Sequence, residues 1–219
     1  MNSIARKQQG FTLIEIAIVL VIIGLLLGGV LKGQEMIENG KVKNAVNDFN
    51  GTAAALNAYR DRFRAMPGDD SAGAAAITTR GANWVGIPEG DGNGIVASTN
   101  AQTFTGAGEN EIFWRQMRAA GLISGDPAAT AIDSLPRNAF GGLTGISNAV
   151  VGIQGLSLCM SRVPGKAAAA LDVQLDDGTP NRGSFRATIS AAGANTAPGA
   201  QPTVPYSEDS VYTVCRQIA

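Results

Sequence analysis

The sequence predicts an α+β fold, in which a long N-terminal helix packs on a C-terminal antiparallel sheet. Residues 11–31 form an apolar run that continues into an amphipathic stretch at 32–64. The remaining residues, 65–219, are rich in glycine, alanine, serine, threonine and proline, and turn residues bound their apolar segments. We therefore expect a helix whose first half is apolar on all sides, followed by a globular domain that contains the sheet.

The apolar run begins abruptly after a short polar segment that ends at Gly10. From Phe11 to Leu31 the sequence contains a single charged residue, Glu15. At about 1.5 Å per residue, a helix of this length spans the roughly 30 Å hydrocarbon core of a bilayer. We therefore predict a leader peptide at 1–10 and a membrane-spanning helix at 11–31.

Two cations precede the apolar run and predict how it lies in the membrane. Arg6 and Lys7 stand on its N-terminal side, and cationic residues next to a span tend to remain in the cytoplasm. This predicts a cytoplasmic N-terminus and a periplasmic C-terminal domain at a bacterial inner membrane. A secretory signal would have a small-residue cleavage site after the run, and none follows Leu31. We expect the span to be retained.

The amphipathic stretch at 32–64 predicts that the helix continues beyond the membrane. Apolar residues recur there at steps of three and four, which places them on one face of a helix. Met66-Pro67-Gly68 predicts the helix end, because proline lacks a donor and glycine permits a turn. Two helices with a break near Gly33 or Gly40 are the alternative.

Turn signals and apolar segments divide the C-terminal part. Strands are predicted at about 150–163, 170–175, 184–190 and 210–218, with turn chemistry at 176–178 between the second and third. Glu109 to Gly121 predicts a short amphipathic helix, with acids in its first turn and a glycine stop. Residues 69–108 are predicted to be mainly loop.

The segment at 10–15, GFTLIE, resembles the class III signal of type IV prepilins and type II secretion pseudopilins. The basic leader before it and the unbroken apolar helix after it fit the same pattern. In that family a prepilin peptidase cuts after the glycine, the new N-terminal phenylalanine is methylated, and the glutamate takes part in assembly. The resemblance implies cleavage between Gly10 and Phe11, N-methylation of Phe11, and an assembly role for Glu15. The alternative to an assembly role is that the Glu15 side chain merely reaches water at the membrane interface.

The resemblance also implies a pilin-like fold and a set of partners. These are other pilin or pseudopilin subunits, the prepilin peptidase, and the pilus assembly machinery of the inner membrane. The predicted function is a structural subunit of a type IV pilus or a type II secretion pseudopilus. A minor or tip pilin that acts as a binding or adhesion module for a surface or DNA is the alternative.

Two cysteines, Cys159 and Cys215, fall on predicted strands of the exported domain. The periplasm is oxidising, so we expect a disulfide between them. The alternative is a pair of buried free thiols. A redox or metal role is not expected, because the chain has no CxxC motif and no histidine.

The glycine-rich segment at 90–94 begins like a calcium loop, with oxygen donors at alternate positions. The pattern then fails, because Ile95 and Val96 stand where an oxygen donor and a glycine are wanted. A glycine-rich turn is therefore the main interpretation. Asp91 and Asn93 are retained as a candidate calcium site, and no other cofactor is expected.

Composition argues against two further classes of function. The chain has no histidine, the commonest general base, and no nucleophile elbow, phosphate loop or dinucleotide fingerprint. We therefore expect no enzymatic activity, and a bitopic envelope enzyme is disfavoured. The formal net charge is −1, without the clustered basic face that a nucleic-acid partner requires, so no such partner is expected.

Overall fold

The computed structural model describes residues 12–72, 75–202 and 205–219, without the side chains of Ile77 and Thr78. The chain divides into two compact units, the first ending at Gly40 and the second spanning Lys41–Ala219. The helices and strands are, in chain order, α1 (Leu13–Phe63), α2 (Ala75–Arg80), α3 (Glu109–Ala119), β1 (Thr144–Ser147), β2 (Ser157–Pro164), α4 (Gly165–Leu175), β3 (Phe185–Ser190) and β4 (Val211–Gln217).

Helix α1 is continuous from Leu13 to Phe63 and passes through Gly33 and Gly40 without a break. The alternative of two separate helices is therefore wrong. Every described side chain from Leu13 to Lys32 is exposed. Among the described helices, α1 is the one with an apolar stretch long enough to cross a bilayer.

In the second unit, α1 has one buried face. Val42, Ala45, Phe49, Leu56 and Tyr59 are each at most 4% exposed, and their spacing of three, four or seven residues places them on one side of the helix. This burial confirms the amphipathic pattern. The face anchors α1 to the rest of the unit.

The sheet has four antiparallel strands in the order β1-β2-β4-β3. Phe49 of α1 meets Phe185 of β3 edge to face, with 5.9 Å between the ring centroids. Both side chains are fully buried, so this aromatic pair lies in the core between helix and sheet. The predicted α+β architecture is confirmed, as are the third and fourth predicted strands.

The predicted strand at 170–175 is wrong, because these residues form the second half of α4. Four consecutive alanines precede Leu171, and alanine has the strongest helix propensity. Ala167, Ala168 and Leu171 are buried together, which is the spacing of a helix face. The turn predicted at 176–178 follows α4 and leads into β3.

The predicted strand at 150–163 is too long, and β1 was missed. Gly152 and Gly155 have φ angles of 81° and 86°, so the chain turns before β2 begins at Ser157. Strand β1 is only four residues long and all four are buried, so it shows no polar alternation. A Cβ on its Gly145 would clash with the backbone oxygen of Thr103, which explains a glycine inside a strand.

Helix α3 confirms the predicted helix and its stop, but nine of its eleven residues are buried, so its polar side chains lie inside the unit as well as its apolar ones. Gly121 has a φ angle of 72°, and its N–H donates to the carbonyl of Arg118 at 2.9 Å. The next N–H, of Leu122, donates to the carbonyl of Met117 at 3.1 Å. These two bonds form the Schellman arrangement that closes a helix C-terminus.

Candidate functional site

The structure places Glu15 in the first turn of α1, while Gly10 and Phe11 lie outside the described residues. The backbone N–H and the hydroxyl of Thr12 both donate to Oε2 of Glu15, each at 2.8 Å. The N–H of Glu15 donates in return to Oγ1 of Thr12 at 3.3 Å. This reciprocal pair is a capping box, so Thr12 and Glu15 form the N-terminal end of α1.

The sequence interpretation missed the part that Thr12 takes in this arrangement. A threonine followed three residues later by a glutamate, immediately before an apolar run, is the signal of a capping box. The hydrogen bond from the Thr12 N–H holds the Glu15 carboxylate beside the backbone nitrogen of Thr12, which is one residue from Phe11. The assembly role of Glu15 stays a prediction.

The structure contains a disulfide between Cys159 and Cys215. Cys159 lies on β2 and Cys215 on β4, and they are directly opposed in the antiparallel register. Both are buried, and they lie 56 positions apart in the sequence. The bond therefore joins the two central strands of the sheet and closes a loop that contains α4 and β3.

The candidate calcium residues Asp91 and Asn93 lie together, beside two further carboxylates. Asp91 lies close to Asp69 and Glu109, with one carboxylate oxygen from each of the three within 4.8 Å of the others. Asn93 adjoins this acidic group, because its backbone N–H donates to Oδ1 of Asp69 at 2.8 Å and to Oδ1 of Asp91 at 3.0 Å. Its amide donates to Oδ2 of Asp91 at 2.7 Å, and its Oδ1 accepts from the N–H of Ile95 at 2.8 Å. The sequence interpretation missed Asp69 and Glu109, because they are distant along the chain.

The two buried carboxylates of this group bind the backbone of the loop. Oδ1 and Oδ2 of Asp69 accept the N–H groups of Asn93 and Gly94, both at 2.8 Å. Glu109 accepts the N–H groups of Asp91 and Ala97. These charge-assisted bonds account for two carboxylates in a buried position, and calcium binding stays a prediction.

A second acidic group lies where α4 ends. Asp172, Asp176 and Asp177 bring carboxylate oxygens within 4.8 Å of one another. Asp172 is fully buried, and desolvation raises its pKa although Tyr206 donates to its Oδ2 at 2.7 Å. Asp176 accepts the N–H of Phe185 at 2.9 Å, at the start of β3. This group fixes the turn between α4 and β3.

The C-terminal end of α1 is held by an ion pair between the buried Asp70 and the half-buried Arg80. Arg80 Nη1 lies 2.6 Å from Oδ2 of Asp70, and the hydroxyl of Tyr59 donates to the same oxygen at 2.6 Å. The Arg80 guanidinium lies over the rings of Phe63 and Trp84, at 4.4 and 4.7 Å from their centroids. Burial, together with the bond to Asp70, raises the pKa of Tyr59, so this hydroxyl remains protonated and donates.

Comparison with known proteins supports the interpretation of the N-terminal segment. The family model described as prokaryotic N-terminal methylation motif matches residues 5–31. The chain is 32% identical over 101 residues to the fimbrial protein EcpC of Eikenella corrodens. That alignment covers 45% of this chain and 66% of the relative, just under two thirds of its length. No solved structure matches the chain.

Removing the disulfide should lower the free energy of unfolding by about 4 kcal/mol, because a long loop is released in the unfolded chain. The measurement is urea unfolding of the full chain in detergent, comparing wild type with the double variant Cys159→Ala, Cys215→Ala. Peptide mass spectrometry without reduction provides the control for the bond itself. Freely alkylated thiols in protein from the cell envelope would contradict the pairing.

Asp70→Ala should destabilise the second unit by about 3 kcal/mol, because it leaves the Arg80 guanidinium and the Tyr59 hydroxyl without their acceptor. The same unfolding measurement checks this value. Asp61→Ala is the matched control, since Asp61 is an exposed acid on α1, and it should change stability by less than about 0.5 kcal/mol. Equal stability of the two variants would refute a structural role for the ion pair.

Proposed function

Because the N-terminal methylation motif and the likeness to a fimbrial protein are consistent with the type IV pilin family, we propose that this chain is a structural subunit of a type IV pilus or a type II secretion pseudopilus. The observation that carries the proposal is the motif match at 5–31, which includes the start of α1. The exposed apolar side chains from Leu13 to Leu31 support it. They need burial in a membrane or against other subunits.

In this proposal the chain is first a single-pass protein of the bacterial inner membrane. Residues 1–10 lie in the cytoplasm, and the second unit lies in the periplasm. The disulfide on β2 and β4 fits an oxidising compartment. The processing site is the peptide bond between Gly10 and Phe11. A prepilin peptidase cuts this bond, and the new amine of Phe11 is then methylated.

Assembly then depends on the charge of Glu15. Cleavage creates a cationic amine on Phe11, one residue from the capping box that holds Glu15. In lipid both charges are poorly solvated, so an amine from an incoming subunit and a carboxylate from its neighbour gain from a charge-assisted pair. Such a pair favours one axial register between the two helices. The role is structural, and it requires neither catalysis nor a cofactor.

Processing predicts a mature protein that begins at Phe11 and carries one added methyl group. N-terminal sequencing and intact mass of the protein from envelopes are the measurements. Gly10→Val should block cleavage because it removes the small residue at the cut, while Gln9→Ala should be processed normally. A mature start at Met1, or at a residue after Leu31, would refute the prepilin interpretation.

Replacement of Glu15 separates its charge from its capping bond. Glu15→Leu removes both, whereas Glu15→Gln removes the charge and keeps an acceptor that suits a capping box. We expect both variants to insert and to be processed, but to be depleted at least about tenfold from sheared filaments, which corresponds to about 1.4 kcal/mol.

The measurement is the amount of subunit in membranes and in filaments, in cells without a wild-type copy. Depletion of Glu15→Leu but not of Glu15→Gln would mean that incorporation requires the capping bond of Glu15 and not its charge. Loss of both variants from the membrane would assign it to insertion or stability. Incorporation of both variants into filaments at the wild-type level would exclude an assembly role for Glu15.

A further inference from the structure

A groove runs beside α1 in the second unit, and we call it the α1 groove. It consists of two adjoining cavities of about 390 and 310 Å³, both lined by Asn47, Asp48 and Arg137. Half-buried Leu122 and Ile123 contribute apolar surface to the larger cavity. An apolar surface with charges at its edge is the usual composition of a protein-binding surface.

The two charged residues of the groove have no ion-pair partner among the described residues. Asp48 and Arg137 are exposed, and neither takes part in a described salt bridge. The groove nevertheless withdraws part of the hydration of Asp48, and this desolvation raises its pKa. A cation that approached Asp48 from outside the chain would offset that cost.

A second charged surface lies at the C-terminal end of the same helix, and we call it the α1 end. Arg60, Asp61 and Arg64 are exposed and line a cavity of about 720 Å³. Asp69 in the wall of this cavity already accepts two backbone N–H groups, and Asp70 is paired with Arg80. The guanidinium groups of Arg60 and Arg64 form no salt bridge among the described residues.

The two surfaces have complementary charges and point in different directions. The groove offers an acid on α1 and an arginine across from it, and the α1 end offers two arginines with an acid between them. Asp48 and Arg60 are twelve residues apart, which is about 18 Å along a helix and roughly a third of a turn around it. One neighbour related by a two-fold axis would meet the same surface on both copies, so two different surfaces favour a head-to-tail contact.

We propose that the α1 groove of one copy binds the α1 end of the next copy, with Asp48 opposite Arg60 and Arg64, and Arg137 opposite Asp61. This contact rests on the proposed filament function and gives it a specific interface. A second copy is the occupant that the charges favour, because the acid of each surface can face an arginine of the other. A head-to-tail contact generates an open filament when the rotation between copies does not close into a ring, and this is the outcome that the proposed function requires.

Charge reversal tests the contact in cells that make the full chain and have no wild-type copy. Asp48→Arg and the double variant Arg60→Asp, Arg64→Asp should each lower the amount of subunit in sheared filaments about fivefold or more. The triple variant that combines all three changes should recover most of the wild-type level. Asp209→Arg, which reverses an exposed acid outside both surfaces, is the matched control.

A cross-linking measurement covers the case in which a charge variant fails to fold. A photoreactive side chain at position 51 is suitable, because a Cβ on Gly51 meets no atom within 4 Å and Gly51 lines the groove. In filaments it should cross-link to residues 57–66 of another copy, as identified by peptide mass spectrometry. Cross-links only to other residues, or only to a different protein, would overturn the proposal.

The outcomes separate this contact from the proposed function. Wild-type subunit absent from filaments would overturn both. Wild-type subunit present in filaments, with charge reversals that leave its level unchanged, would overturn the contact alone. The triple variant gives a further test if it is inserted in the membrane and forms its disulfide. The contact would also be overturned if the amount of this variant in filaments stayed low and its cross-links led to other residues.

Discussion

Within the second unit, the packing of residues 41–63 of α1 against the other elements is the interaction on which the rest of the unit depends. Its buried face runs from Val42 to Tyr59; Phe49 meets Phe185 of the sheet, and Tyr59 meets Trp84 outside the sheet. With few aromatic residues in the chain, each large side chain at this surface contributes much of the buried area. The disulfide then joins β2 and β4, the two strands in the middle of the sheet.

Buried polar groups organise the loops that follow α1. Asp70 and Arg80 neutralise each other at the helix end, and Asp69 and Glu109 accept the backbone N–H groups of the loop at 90–97. A buried polar group without a partner costs more than a bond contributes. These carboxylates therefore specify one conformation for a segment that has little regular secondary structure of its own.

The two parts of α1 have different surfaces. The part in the first unit is apolar and exposed, and the part in the second unit has polar surfaces, so we expect the two parts to make different contacts. From Leu13 to Leu31 the side chains are apolar and exposed, so this part favours lipid or the helices of other subunits. Beyond Lys41 the outward face carries charges and small residues, and it suits contacts that are specific in register. Burial supplies most of the energy of such assemblies, and charge supplies much of their specificity.

The sequence by itself determined the features that depend on local pattern. The apolar run, the amphipathic stripe, the stop at Met66-Pro67-Gly68 and the helix at 109–121 all follow from periodicity and turn chemistry, which act over a few residues. The same local reasoning failed at 170–175, where alanine content outweighed an apparent strand, and at β1, which is too short and too buried to show alternation. Only the tertiary structure brought Asp69 and Glu109 to Asp91 and placed Arg137 in the wall of the groove that Asp48 also lines, because those positions depend on how segments distant in the sequence fold together.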